Sequence, residues 1–309
     1  MQGNIKELLF AIQNGDQRAL ARGITIVENE LNGYEELLLA LKHTEQSKII
    51  GITGPPGAGK STLVNSLLTH WDRKGKKVAV IAVDPSSPFN YGALLGDRIR
   101  MSNFYNNPNV YIRSMASRGA LGGLNAKIIE VSDVVKNGGF DYILVETVGV
   151  GQSEVEIAGL ADTTVVALVP EAGDEVQTIK AGIMEIADIF VVNKADREEA
   201  DRLYRNLKIL AHEKASDEYE IPVVKTIATK SSGIEELAES IDKDLLKKSN
   251  TTKRVQLLTE KCWQLIEAEK MRNYSKKQIS QAISTAITSP NFNLYSFTKD
   301  YLTKTNLIT

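Results

Sequence analysis

Residues 51–62 have the residue types and the spacing of a phosphate-binding loop. They read GITGPPGAGKST, so Gly54 is followed by four residues and then by Gly59, Lys60 and Ser61. Glycines let successive backbone N–H groups turn inward around phosphate oxygens, at a helix N-terminus whose dipole favours negative charge. In this pattern the lysine reaches the β- and γ-phosphates and the serine hydroxyl coordinates Mg²⁺. The predicted loop residues are Gly54, Pro55, Pro56, Gly57, Ala58, Gly59, Lys60, Ser61 and Thr62.

A second motif predicts which base is bound. Residues 193–196 read NKAD at the end of a later apolar run. The carboxylate of Asp196 can accept hydrogen bonds from guanine N1–H and N2–H₂, a donor pair that adenine lacks, and such a site can discriminate by roughly 10⁴-fold. Lys194 is expected along the base plane, and the loop at Ala228 could donate a backbone N–H to guanine O6. The predicted ligand is therefore GTP or GDP.

A third motif predicts a sensor of the γ-phosphate. Residues 141–152 read DYILVETVGVGQ, in which an acid, two residues and a glycine follow an apolar run. Glu146 is expected near Mg²⁺, through water, and the N–H of Gly149 at the γ-phosphate. The alternative for Glu146 is a carboxylate that caps the next helix. Val150 stands where Ras-like proteins carry a water-orienting glutamine, and an apolar side chain cannot orient water, so slow intrinsic hydrolysis is predicted.

Two further carboxylates are candidates for the same metal site. Asp84 ends the run VAVIAVD, and Asp97 follows in GALLGDRIRM. Either could hold the water ligands of Mg²⁺ or the attacking water. The structural alternatives are that Asp84 caps a turn and that Asp97 pairs with Arg100. The candidate catalytic groups are Lys60, Asp84, Asp97 and Glu146, and the candidate metal ligands are Ser61, Asp84, Asp97 and Glu146.

The elements that must position these residues follow from hydrophobic periodicity. Seven short apolar runs, rich in β-branched residues, are typical of strands buried on both faces of a parallel sheet. Helical stretches lie between most of them, which predicts an α/β fold: a mostly parallel central sheet flanked by helices and joined by right-handed crossovers. The runs are KIIGITG, KVAVIAVD, NVYIRSM, DYILVETVG, TTVVALVP, DIFVVNKAD and PVVKTIA.

Helical segments are predicted on both sides of this body. Apolar stripes at helical spacing predict three helices in residues 1–46, the second capped by Asp16, and these stripes require a larger body to cover them. The α/β domain is expected over 47–249. Residues 250–309 begin with a helix, one face of which packs either on the chain's own body or on another subunit. That face comprises Val255, Leu258, Cys262, Leu265 and Ala268, widened by Trp263 and Ile266.

Composition excludes several classes of protein. The 309 residues carry 37 Lys and Arg against 39 Asp and Glu, a balance that argues against a nucleic-acid binder and offers no polybasic surface for lipid. One cysteine and three histidines make a zinc or thiolate metal site implausible. The sequence lacks a signal peptide and any long apolar run, which predicts a cytoplasmic protein without a membrane span.

Several segments together resemble the MeaB/ArgK family of P-loop GTPases, the methylmalonyl-CoA mutase-associated GTP-binding proteins. The resemblance extends from about residue 5 to residue 245. The final sixty residues match only loosely, so the resemblance gives no arrangement for the dimer. The segments that carry it are GPPGAGKST, AVDPSSP, LGDRIRM, RSMASRGALGGL, VETVGVGQSE and GDEVQTIKAGIMEIADIFVVNKAD.

The resemblance implies a G-protein chaperone that escorts an adenosylcobalamin-dependent acyl-CoA mutase, gates its cofactor loading and protects it. Family members are typically homodimers with a C-terminal dimerisation arm. Lys60 and Ser61 match the phosphate and Mg²⁺ ligands of the family, and Asn193 and Asp196 match its guanine readers. Three residues in GDEVQTIK match a mobile segment that communicates nucleotide state to the mutase, namely Asp174, Gln177 and Lys180.

Some positions depart from the family pattern or stay ambiguous. Glu171 replaces a common glycine, and Asn90 and Tyr91 replace a common Ser/Thr-Gly pair, so the Ser/Thr hydroxyl of the family pattern is absent there. Arg113 and Arg118 either pair with surface acids or order a glycine-rich loop on phosphate or a partner. Two other functions remain open. One is a nickel-insertion GTPase, which the lack of a His-rich tract disfavours. The other is an ArgK-type transport-system kinase or ATPase, which NKAD disfavours.

Overall fold

A computed structural model describes eleven stretches of the chain: residues 4–42, 44, 46–84, 101–116, 126–147, 153–170, 185–213, 220–246, 251–272, 274–289 and 292–306. The chain divides into two compact units, Met1–Lys253 and Arg254–Thr309. The three-part division drawn from the sequence stays a prediction. None of the helices in the described stretches combines the length and the apolar composition that crossing a membrane requires.

The first unit is built on a seven-stranded sheet in which every strand pair is parallel. The strand order is β3-β2-β4-β1-β5-β6-β7, which places β1 between β4 and β5. The predicted α/β fold is confirmed, and all seven apolar runs are strands. They are β1 (Lys48–Thr53), β2 (Val78–Asp84), β3 (Val110–Ala116), β4 (Tyr142–Glu146), β5 (Thr163–Leu168), β6 (Ile189–Asn193) and β7 (Val223–Thr226).

The described residues of the first unit also form eight α-helices and two short 3₁₀ turns, at Ser102–Phe104 and Ala228–Lys230. Side chains on alternate strand positions meet different helices because successive residues of a strand point to opposite faces. Ile50 and Ile52 of β1 share a core with α4 and α8, whereas Val166 and Leu168 of β5 pack with α6 and α7. The helices are α1 (Ile5–Gln13), α2 (Gln17–Glu28), α3 (Tyr34–Ala40), α4 (Lys60–Arg73), α5 (Ile128–Lys136), α6 (Ser153–Leu160), α7 (Ala200–Glu213) and α8 (Ile234–Leu245).

The three N-terminal helices form as the periodicity predicts and pack on the sheet domain. Asp16 caps α2, since its carboxylate accepts hydrogen bonds from the backbone N–H groups of Arg18 and Ala19. The helix α2 packs against α5. Its last residue, the buried Glu28, accepts a 2.6 Å bond from the guanidinium of Arg113 on β3. The stripe of α1 is covered, as its inward-facing residues are buried: Ile5, Leu8, Leu9 and Ile12.

The second unit consists of helical segments. The helix α9 (Thr251–Met271) leads into it, and α10 (Lys276–Ala286) and α11 (Leu294–Asn306) follow. The ring centroids of Phe297 and Tyr301 on α11 lie 5.8 Å apart. The ring of Phe292 lies 6.0 Å from that of Phe297, and the ring of Tyr274 lies 6.5 Å from that of Tyr301. This aromatic cluster attaches α11 to the end of α9. The apolar face of α9 is open: Val255, Leu258, Trp263, Leu265 and Ile266 are between 45% and 61% exposed.

Candidate functional site

Five of the predicted motifs lie at one edge of the sheet. In a parallel sheet the carboxyl ends of all strands meet at the same edge, which is where open α/β folds bind ligands. The phosphate-loop motif follows β1, Asp84 ends β2, and Glu146 ends β4. The NKAD motif begins at the last residue of β6, and Ala228 comes two residues after β7. The fold therefore brings together residues as far apart in sequence as Gly54 and Ala228.

The loop between β1 and α4 requires glycine at two positions where other backbone or side-chain atoms come close. Gly54 has φ +140°, and a Cβ atom there would stand 2.0 Å from the carbonyl oxygen of Ala167 on β5. Gly59 has φ +83°, and its Cβ would stand 2.5 Å from Nδ2 of Asn193. Gly59 is also the residue before α4, and no side chain caps that helix end. The first N–H groups of α4 are thus available to an anionic ligand.

Lys60 is buried, and its ammonium is held by the loop itself. The Nζ atom donates to the carbonyl oxygens of Gly54 at 2.9 Å and Pro55 at 3.1 Å. Only 7% of the residue is exposed. These bonds fix the lysine head at the mouth of the loop, where phosphate oxygens would compete with two neutral carbonyls for it. Charged acceptors form stronger hydrogen bonds than neutral ones, so the ammonium would bind phosphate in preference to the carbonyls.

Ser61 and Glu146 are the two predicted Mg²⁺ ligands whose side chains the structure describes. The Ser61 hydroxyl donates to Oε1 of Glu146 at 2.7 Å, and both residues are buried. A hydroxyl and a carboxylate are oxygen ligands of the kind Mg²⁺ takes, so this pair fits the ion. Glu146 is paired in register with Ala82 on β2, so Asp84 continues the neighbouring strand two residues beyond it. The side chain of Asp84 lies outside the described atoms.

Asn193 connects the phosphate loop to the base loop through three hydrogen bonds. Its Nδ2 donates to the carbonyl of Ala58 at 2.9 Å. Its Oδ1 accepts from the hydroxyl of Thr226 at 3.0 Å and from the N–H of Ala228 at 3.3 Å. The residue is 2% exposed, so these three hydrogen bonds are shielded from water. Asn193 is therefore placed to orient both loops, and its part in reading guanine stays a prediction.

The carboxylate of Asp196 is accessible at this same edge. It lies 3.5 Å from the ammonium of Lys230, and the two side chains are 43% and 66% exposed. Lys194, between Asn193 and Asp196, has φ +55°, an unusual conformation for a residue with a side chain. Such backbone strain concentrates at ligand-binding turns, where the surrounding structure holds it. An exposed carboxylate whose cationic partner is also exposed can accept a new pair of donors at little cost.

Several predicted residues lie outside the described stretches, and the geometry of the site does not include them. They are Asp97, Gly149, Val150 and Arg118, the family departures Asn90, Tyr91 and Glu171, and the partner-segment residues Asp174, Gln177 and Lys180. Their roles stay predictions.

Arg113 takes the structural one of its two predicted roles. Its guanidinium donates to Glu28 at 2.6 Å and to Thr25 Oγ1 at 3.4 Å, both on α2. The pairing therefore ties the N-terminal helices to the edge strand β3.

The sequence reasoning missed Thr226 and Ser66. Thr226 is 1% exposed and bonds Asn193, and Ser66 is 6% exposed and bonds the carbonyl of Ala228 at 2.8 Å. The available signal was a small polar residue inside the apolar stripe of α4, flanked by Leu63 and Leu67, which indicates a buried hydroxyl that needs a partner.

Relatives of known type share most of this chain. A mitochondrial mouse protein named methylmalonic aciduria type A homolog is 39% identical over 207 residues, 62% of this chain and 50% of its own length. The GTPase ArgK of Escherichia coli is 35% identical over 251 residues, 78% of this chain and 76% of its own. A Pyrococcus abyssi protein described as a GTPase is 52% identical over 243 residues, 77% and 75%.

Solved structures agree on the fold. A structure titled LAO/AO transport system kinase superposes with a TM-score of 0.70 at 28% identity, covering 98% of this chain and 99% of that one. The hydrogenase maturation factor HypB of Archaeoglobus fulgidus gives a TM-score of 0.50 at 18% identity, covering 73% and 99%, and shows the shared fold alone. A family model described as methylmalonyl Co-A mutase-associated GTPase MeaB matches residues 20–281. The chain therefore belongs to the MeaB family and is a GTPase.

Proposed function

We propose that this GTPase is a chaperone of an adenosylcobalamin-dependent acyl-CoA mutase, methylmalonyl-CoA mutase or a relative. The observation that carries the proposal is the match of residues 20–281 to a family described by its association with methylmalonyl-CoA mutase. The name of the mouse relative points the same way. On this proposal GTP hydrolysis gates the loading of the mutase with cofactor and protects the loaded enzyme.

We propose the following roles for the chain's own residues during hydrolysis. The loop between Gly54 and Thr62 wraps the phosphates with its N–H groups. Lys60 leaves the carbonyls of Gly54 and Pro55 and stabilises the charge that develops on the γ-phosphate as water attacks in line. Ser61 and Glu146 would hold Mg²⁺, and the ion would offset the negative charge of the phosphates. Asp84 and Asp97 hold water at the same site.

Base selection is proposed for the other end of the site. Asp196 accepts from guanine N1–H and N2–H₂, Lys194 lies along the base, and the N–H of Ala228 donates to O6. The 3.3 Å bond that this N–H makes to Asn193 is longer than the usual 2.9–3.0 Å, so a second acceptor can share it. The exposed edge of the Asp196 carboxylate supports this assignment. The segment with Asp174, Gln177 and Lys180 is proposed to report the nucleotide state to the mutase.

The chaperone proposal is tested by co-precipitation with a purified adenosylcobalamin-dependent mutase. We expect the amount of complex to differ severalfold between GDP and a non-hydrolysable GTP analogue, because the mutase must read which nucleotide is bound. A sharp control is the variant Asp196→Asn with xanthosine nucleotides, which should restore the difference only if the nucleotide acts through this protein. Equal capture, or no capture, with every such mutase tested would contradict the proposal.

The structural neighbour titled a transport system kinase supports a second candidate, phosphoryl transfer from ATP. Two features favour the first. The NKAD motif supplies a carboxylate that pairs guanine and not adenine, and the E. coli ArgK relative is itself named a GTPase. The nickel-insertion alternative rests on a likeness to HypB that extends to the fold alone.

We also propose that the protein forms a homodimer through α9. Val255 and Cys262 are seven residues apart, as are Leu258 and Leu265, and the two pairs interleave at the spacing of a helix–helix seam. The exposed apolar face supports this arrangement, since burial of such a stripe in a second copy removes it from water.

Charges on that stripe should dissociate the dimer. The double variant Leu258→Asp, Leu265→Asp is expected to elute as a monomer in size-exclusion chromatography with light scattering, while GDP affinity stays within about twofold because the nucleotide site lies in the first unit. Gln264→Asp, on the opposite face of α9, is the matched control and should remain dimeric. A dimer that survives the double change would place the interface elsewhere.

A further inference from the structure

Ser66 is a buried hydroxyl in a position that the hydrolysis chemistry does not use. It lies on α4, six residues after Lys60, and is 6% exposed. Its Oγ atom is 2.8 Å from the carbonyl oxygen of Ala228 and 3.0 Å from the carbonyl oxygen of Thr62, one turn back on its own helix. The hydroxyl has one proton, which these two acceptors share, and the contact with Thr62 is local, as in many helical serines. The bond to Ala228 joins two elements that are 162 residues apart.

This bond closes a circuit between the phosphate loop and the base loop. The carbonyl of Ala58 accepts from Asn193, and Asn193 accepts from the N–H of Ala228. The carbonyl of Ala228 then returns to α4 through Ser66, and α4 begins at Lys60. Both peptide groups of Ala228 are therefore held, one by Asn193 and the other by Ser66. Chains of buried hydrogen bonds of this kind make a loop rigid when every member is satisfied.

We propose that Ser66 is a positioning residue for guanine recognition. By holding the carbonyl of Ala228 it fixes the height of the base loop above α4, and with it the distance between the phosphates and the N–H that meets guanine O6. The inference rests on the proposed role of Ala228 at O6. It adds a determinant of specificity from the helix that carries the phosphate site, outside the guanine motif itself.

The size of the expected effect follows from what remains after the hydroxyl is removed. The carbonyl of Ala228 keeps a second donor, the N–H of Ser231 at 3.2 Å, so it is not stranded. The loop should loosen without unfolding. A single neutral hydrogen bond of this kind corresponds to about a three- to tenfold change in affinity.

The test compares nucleotides that differ only at the position in question. GDP, 6-thio-GDP and IDP are titrated calorimetrically into the full-length protein. The 6-thio analogue keeps N1–H and N2–H₂ but presents sulfur, a weaker acceptor, in place of O6. IDP keeps O6 and lacks the 2-amino group. Wild type should bind GDP more tightly than 6-thio-GDP.

In Ser66→Ala, and in the isosteric Ser66→Cys, we expect GDP and IDP to weaken about three- to tenfold and 6-thio-GDP to change little, so that the preference for O6 shrinks. Ser66→Thr keeps the hydroxyl and should keep the preference. Ser240→Ala is the matched control, because Ser240 makes the same local bond, 2.8 Å to the carbonyl of Glu236, within α8. It should leave all three affinities unchanged.

The outcomes separate the two ideas. If wild type binds GDP and 6-thio-GDP equally, the proposed role of Ala228 fails. If wild type discriminates and the Ser66 variants discriminate just as well, or lose all three nucleotides in parallel, the positioning role of Ser66 is overturned.

Discussion

Replacing Lys60 should remove most of the protein's affinity for the phosphates of GTP and all measurable hydrolysis. The variant Lys60→Ala loses two or more charge-assisted hydrogen bonds to phosphate, which corresponds to at least about 100-fold in the dissociation constant. The measurement is calorimetric titration of GDP and GTP with Mg²⁺, together with phosphate release. Retained hydrolysis would contradict the role assigned to the loop.

The interpretation depends on separating lost chemistry from lost structure. Lys60 is buried and donates to Gly54 and Pro55, so truncation also removes donors from those two carbonyls. Lys60→Met keeps most of the aliphatic stem and should fold as well as wild type in thermal unfolding, while still failing to bind. Lys74→Ala is the matched control at the other end of α4. Its side chain is 52% exposed and its ammonium lies 4.0 Å from Glu235, so its loss should change neither binding nor hydrolysis.

The variant Asp196→Asn should change the base preference of the protein from guanine to xanthine. Two charge-assisted bonds to guanine are lost, which corresponds to about a 10²- to 10⁴-fold loss of GDP affinity. Xanthine carries a carbonyl oxygen where guanine has its 2-amino group, so the new side-chain amide can donate to it. Affinity for xanthosine diphosphate should therefore rise above that for GDP. The measurement is competition among the two nucleotides and ADP, which wild type should bind far more weakly than GDP.

The control for this exchange lies in the loop that follows β6. Glu199 forms an exposed ion pair with Arg202 at 3.2 Å, much as Asp196 does with Lys230 at 3.5 Å. Exposed pairs of this type contribute little to stability, so Glu199→Gln and Asp196→Asn should unfold at similar temperatures. Only the second should change base preference. Tight binding of ADP to wild type, or unchanged GDP affinity in Asp196→Asn, would contradict the assignment of Asp196.

The strands and motifs that depend on a short stretch of sequence could be predicted from the sequence alone. The strands β1 to β7 are short runs of buried apolar residues, and a run of that kind indicates a strand without knowledge of its neighbours. The phosphate-loop motif has fixed letters because its backbone must approach other atoms closely, as Gly54 approaches Ala167. NKAD has fixed letters because its side chains make the contacts, as Asn193 does with Ala58. Such constraints leave their mark on the residue itself, so they can be found in one sequence.

Contacts between distant residues were beyond that reasoning. Arg113 could pair with an acid or with a ligand, and only the fold shows Glu28, 85 positions earlier, beside it. Ser66 carries no motif, and its partner is a backbone carbonyl that any residue could supply. The exposure of the α9 face also depends on packing, because an apolar stripe has the same letters whether it is covered by its own chain or open.

The order of the strands divides the nucleotide site into two halves, one on each side of β1. On one side of β1 stand β4 and β2, whose ends carry Glu146 and Asp84, and on the other stand β5, β6 and β7, the last two leading to the base motif. With the roles proposed above, the residues for the reaction and those for the base lie on opposite sides of β1 in one sheet. A substitution on the β6 and β7 side can therefore change the base preference to an unnatural nucleotide and leave the catalytic residues intact. In a mixture of related GTPases, that nucleotide would then act on the variant alone.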